Sequence, residues 1–142
     1  MSSELLAQAT DPILGTWELN LAKSKIASEP PPKSSTVTFV QDGDAFKFTS
    51  RGIGADGKPI LEQFTARYDG QDYPVTGNPA RDTISCKRID KFNCEVTVKK
   101  AGKVTWTTSR VISADGKSYT LTSRSTNAKG ETVTDVTVYD KR

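Results

Sequence analysis

From Ser34 to the C-terminus, apolar and polar residues alternate with a period of two, the spacing of a half-buried β-strand. Strands are predicted over 35–41, 45–52, 60–68, 82–89, 94–100, 103–112, 118–125 and 131–140. An earlier strand is expected over Ile13–Asn20. Hairpin-forming pairs separate most of them: Asp42-Gly43, Asp56-Gly57, Ala101-Gly102, Asp115-Gly116 and Lys129-Gly130. The stretch Gln71–Pro79, with its Tyr73-Pro74 and Asn78-Pro79 pairs, is expected to be the one long irregular connection. No segment of useful length carries a 3.6-residue apolar period. Short strands at regular spacing with glycine turns are the pattern of an all-β sandwich or barrel.

The alternation also assigns faces. Val37 and Phe39 share one face, as do Phe46, Phe48 and Ser50. Ile60, Glu62, Phe64, Ala66 and Tyr68 form the next set. Ile84 and Cys86 go with Arg88, and Cys94 with Val96 and Val98. Val104, Trp106, Thr108 and Arg110 align, followed by Tyr119, Leu121 and Ser123. The opposite faces are rich in threonine and lysine, as the wet side of a sheet should be. In the last strand both faces are mixed, and the pattern leaves Asp135/Thr137/Tyr139 and Val136/Val138 undecided. Ahead of the hairpins, Asn20–Ile26 can make one helical turn, and Glu29-Pro30-Pro31-Pro32-Lys33 forces an extended link. Together they suit a lid over one end of the structure. Residues 1–12 read as a flexible leader to a domain over 13–142. Leu5-Leu6-Ala7-Gln8-Ala9 fits either a cytoplasmic start or the remnant of a trimmed export signal.

Composition narrows the chemistry. The 142 residues contain no histidine, which removes the commonest general base and transition-metal ligand. A His-ligated haem, a zinc hydrolase and a Ser-His-Asp triad are thereby disfavoured. Cys86 and Cys94 are too few for a disulfide framework and read as small buried residues. The net charge is +3, with basic runs no longer than two, so no nucleic-acid partner is expected. No apolar run is long enough for a membrane span. The oligomeric state stays open, a homodimer included.

Gly15-Thr16-Trp17, opening the first strand before a series of hairpins, resembles the calycin superfamily of lipocalins, fatty-acid-binding proteins and avidins. The longer string Pro12–Lys25, with Tyr68–Gly77 and Lys87–Asp90, is similar to uncharacterised bacterial lipocalin-like proteins. The resemblance implies an antiparallel up-and-down β-barrel of about eight to ten strands. It also implies that Trp17 closes one end of the barrel beneath a cation, with Arg88, Arg110 or Arg142 as candidates.

Against that background, the charged members of the inner faces become candidate chemistry. Burying an unpaired charge costs several kcal/mol, so Glu62, Arg88 and Arg110 must pair, reach a barrel mouth or line a polar cavity. One reading is a structural ion pair. Another is a polar centre in an apolar cavity, where arginine holds a carboxylate, phenolate or enolate. The apolar lining would come from Phe39, Phe46, Phe48, Phe64, Tyr68, Trp106 and Tyr119, unless these side chains fill the interior. The first functional expectation is binding of a small hydrophobic or aromatic molecule with a polar group. The alternative is a small cofactor-independent enzyme of cyclase or isomerase type, using Glu62 and Tyr73 for acid–base work and Arg110 to hold an anion. A structural or protein-interaction barrel is the third. No cofactor or metal is called for.

Overall fold

The computed structural model describes residues 11–142; the expected leader residues 1–10 lie outside them. Ten strands follow one another: β1 (Gly15–Leu19), β2 (Ser34–Asp42), β3 (Ala45–Ile53), β4 (Pro59–Ala66) and β5 (Tyr73–Thr76), then β6 (Thr83–Arg88), β7 (Asn93–Lys100), β8 (Lys103–Ile112), β9 (Ser118–Thr126) and β10 (Thr132–Lys141). A single 3-10 turn, Leu21–Lys23, stands where a helical turn was expected. Each strand pairs antiparallel with the next, and β10 returns to β1, so the sheet closes into a barrel. Closure leaves no free strand edge, which is how a sheet of this size avoids edge-to-edge association.

The structure departs from the alternation at two places. Tyr73–Thr76 is a strand, although the prolines around it predict an irregular connection. Its ladder is minimal: two residue pairs to β4 and two to β6. Pro74 contributes no amide hydrogen, so the strand survives on its neighbours and on buried Val75. Gly77 ends it at φ +87°, where a Cβ would fall 1.9 Å from the Leu61 carbonyl oxygen. Only glycine lets the chain pass β4 that closely. The second departure lies between β7 and β8. Val98 faces Trp106 but Lys99 faces Val104, so Thr105 is an extra residue in a bulge. Trp106 stays inside, while Val104, expected on the same inner face, is turned outward and is 56% exposed.

One end of the barrel is the floor. Trp17 is wholly buried there, its indole N–H donating to the Ile13 carbonyl at 2.9 Å and its ring meeting Tyr119 edge-on at 4.9 Å. The cation above it is Lys141, whose Nζ is 4.6 Å from the ring, rather than any of the three arginines expected. The register explains this. Trp17 and Lys141 are ladder partners, and the lysine is anchored by donating to the Leu14 carbonyl at 2.6 Å. Arg142 turns outward to Glu18.

The other end is the mouth. After β1 the chain passes the 3-10 turn and continues along β10, with Lys25 exchanging both backbone hydrogen bonds with Val136. The inward face of β10 is therefore the one carrying Asp135, Thr137 and Tyr139. The proline link then crosses the opening, and Ile26, Glu29 and Pro32 roof the interior as the lid read from sequence.

Candidate ligand cavity

Between floor and lid lies a cavity of about 430 Å³. One wall is aromatic and comes from β2, β3 and β4. Phe48 and Phe64 stack at 4.6 Å, Phe39 meets Phe48 edge-on at 5.4 Å, and Phe46 meets Phe64 edge-on at 5.9 Å. Facing it, β6 to β8 supply Ile84, Cys86, Val96, Val98 and Trp106. Tyr119 closes the lower end.

Arg110 enters this apolar lining from β8. It is 6% exposed, and one guanidinium nitrogen donates to the Tyr68 hydroxyl oxygen at 2.9 Å. Among the described residues its Nε has no hydrogen-bond partner and no ion pair involves it. The guanidinium carbon lies 5.7 Å from the Phe39 ring centroid and 5.5 Å from that of Tyr68. Such cation–π contacts are each worth up to about 2 kcal/mol when desolvated, less than the several kcal/mol it costs to bury a cation. A ligand anion at about 4 Å would add roughly 4 kcal/mol at an effective dielectric near 20.

The other charged candidates stand elsewhere. Glu62 also lines the cavity, but at the mouth, where Arg81 Nη2 approaches its Oε2 to 2.6 Å and Asn78 Nδ2 donates to Oε1 at 3.3 Å. The Arg81 contact is a close ion pair without the alignment of a hydrogen bond. Arg88 lies outside the main cavity. It bonds Asp11 at 2.8 Å and covers the Tyr68 ring at 4.0 Å. Arg88 and Tyr68 line a smaller cavity of about 210 Å³ beyond the floor, and Phe46 borders both spaces. Burial raises the Tyr68 phenol above its usual range, with Arg110 opposing, so it stays protonated and can donate. Tyr73 lines neither cavity; its hydroxyl donates to Asp69 at 2.6 Å on the exposed side. Of the three residues read from sequence as an acid–base site, Glu62 and Arg110 line the same cavity and Tyr73 does not. Glu62 and Arg88 each have another partner.

Sequence reasoning missed the mouth. Asp135 is 7% exposed and clasps the lid: its carboxylate accepts from the backbone N–H groups of Ala27 (2.8 Å) and Ser28 (3.0 Å) and from the Ser28 hydroxyl. Arg81 and Asn78 lie on a loop with no periodicity to mark them. Tyr139 stacks on Tyr119 at 4.9 Å and touches Ser35. Its strand carries two mixed faces, so only the ladder to β9 decides its direction.

Cys86 and Cys94 are both buried free thiols. Burial pushes Cys86 up to about 12, and Cys94 is also raised for the same reason. Neither is a nucleophile at neutral pH.

No protein-family model and no curated protein sequence matches the chain. Among solved structures it is similar to the zebrafish ileal bile acid-binding protein complexed with cholic acid, with a TM-score of 0.60 and 15% identity over 92% of this chain and 99% of that one. It is also similar to lobster apocrustacyanin A1 (TM-score 0.51, 14% identity, 100% of this chain and 70% of that one). Apocrustacyanin C2 gives a TM-score of 0.52 with 16% identity over 99% and 68%. The fold is a closed ten-strand antiparallel barrel of the lipocalin/calycin type. Among the described residues no helix is long and apolar enough to cross a membrane.

Proposed function

We propose that the barrel binds a small hydrophobic or aromatic molecule in its interior and holds an anionic group of that molecule on Arg110. The observation that carries this reading is the buried Arg110 guanidinium, with no carboxylate partner among the described residues, on the wall of a cavity whose apolar lining includes Phe39, Phe48, Phe64 and Trp106. A volume of about 430 Å³ is in the range of small-molecule sites. A barrel of similar fold is described in complex with cholic acid, a hydroxylated carboxylic acid, which supports an acid as the ligand class. The Tyr68 hydroxyl accepts from Arg110 from outside the main cavity and so helps to orient the guanidinium.

The test is a native mass spectrum of the protein purified from its own host, set beside the denatured mass. An added mass that is lost on denaturation, belongs to an apolar acid and is absent from Arg110→Met is the expected result. A bare native mass, together with failure to take up any added apolar acid, would overturn the reading.

A further inference from the structure

Three hydroxyl-bearing side chains from three strands converge inside the mouth. Ser35 Oγ lies 3.3 Å from Ser50 Oγ and 3.3 Å from the Tyr139 hydroxyl, and all three residues line the cavity. Ser35 and Ser50 are each 8% exposed. Three hydroxyls carry three protons, and their two mutual contacts use two. At least one O–H donor and several lone pairs are left over. A second pair, Thr108 and Ser123, bonds at 2.9 Å on the same lining and keeps one proton unspent in the same way.

The two buried carboxylates at this end are already matched, and the lid's Glu29 is exposed to solvent. Glu62 is held by Arg81, and Asp135 is occupied by the lid. What the mouth has to spare is therefore neutral hydrogen-bonding capacity. The opposite pole is fixed by Phe39, over which Arg110 sits. Ser35 and Phe39 lie four residues apart on the inward face of β2, a span of about 13 Å at the usual strand rise. Apolar side chains, Val37 and Phe48 among them, line the space between.

Resting on the proposed anion site, we infer that the preferred ligand is bipolar: an acid whose apolar body ends in a neutral hydroxyl-bearing group seated on Ser35, Ser50 and Tyr139. A ligand ending in a methyl group leaves the spare donor unmet, and one ending in an ammonium finds, among the described residues at the mouth, only the solvent-exposed Glu29 as a carboxylate held by neither an ion pair nor the lid's backbone amides.

The experiment compares dodecanoate, 12-hydroxydodecanoate and 12-aminododecanoate by calorimetry on the full chain, then on Ser35→Ala/Ser50→Ala and on Tyr139→Phe. The hydroxy acid should bind about three- to tenfold tighter than dodecanoate, the amount one or two net hydrogen bonds provide. The amino acid should bind weakest. In the serine double variant the order should reverse, with dodecanoate binding at least as tightly as to the wild type, which also reports that the variant is folded. Equal binding of dodecanoate and the hydroxy acid by the wild type overturns the bipolar ligand and leaves the Arg110 site standing. A hydroxyl preference that survives in both variants overturns the assignment to this cluster. Failure of all three acids to bind overturns the anion site, and the bipolar ligand with it.

Discussion

The two ends of the barrel solve opposite problems with the same strands. At the floor, Trp17, Tyr119, Ile13 and Ile112 are each at most 2% exposed, and the cations there sit on aromatic faces. At the mouth the buried residues are Ser35, Ser50, Glu62 and Asp135, and nearly every polar atom is bonded to a loop, a lid or another hydroxyl. The floor is a core in miniature, stabilised by area and packing. The mouth is a network, stabilised by matched polar groups. Arg110 joins them: a buried charge with no anionic partner among the described residues, on the cavity wall. Its contacts with Tyr68 and Phe39 leave the charge itself unneutralised beside a cavity, which makes it the strongest pointer to a ligand.

The largest effect should come from the floor. Trp17→Ala should destabilise the barrel by about 3–5 kcal/mol, the range for emptying a buried aromatic site, read as the shift in urea midpoint. A loss under about 1 kcal/mol would mean that the floor is not the packed end. Next, Arg110→Met should weaken an apolar carboxylate about a hundredfold while leaving the unliganded protein as stable or more so. A fall in stability as large as the fall in binding would make Arg110 a structural cation.

Alkaline titration comes third. Cys86 is held near 12 by burial, against an ordinary value of 9.0. Between those values the folded chain keeps a proton that the unfolded chain has released, so stability falls as pH rises through the window. By pH 10.5 the thiol should account for about 2 kcal/mol of that loss. Cys86→Ala should flatten this part of the profile, measured as unfolding midpoint against pH from 8 to 11. An unchanged slope would show that the cavity wall is wetter than described. The smallest effect belongs to the mouth. Asp135→Ala removes three hydrogen bonds to the lid and should cost about 1 kcal/mol of stability while speeding ligand release several-fold in stopped-flow. Unchanged release kinetics would dissociate the lid from the opening.

The floor was legible in the sequence and the mouth, apart from its lid, was not, for the same physical reason. Strict alternation places Phe39, Phe46, Phe48, Phe64 and Trp106 inside, because apolar residues on one face of a strand have nowhere else to go. Gly15-Thr16-Trp17 pointed to a closed end, yet the cation that completes it arrives from Lys141, more than a hundred residues away, through ladder pairing. Polar positions carry no such compulsion. Glu62 and Arg110 could be read as inward, but nothing local says that Glu62 meets Arg81 on a loop while Arg110 meets none. Val104 was misread because a single bulged residue, Thr105, reverses the phase of a strand without changing its composition. Asp135 was undecided because its clasp on Ala27 and Ser28 is a contact between distant segments.

The central claim, that Arg110 is held unmatched to receive an anion, is tested most directly by titrating naphthalene-2-carboxylate and its neutral amide, two molecules of nearly equal size, into the wild type and Arg110→Met. The wild type should bind the carboxylate at least about tenfold tighter than the amide, and the arginine variant should bind the two alike. Equal affinities in the wild type, or a carboxylate preference that persists without Arg110, would contradict the account.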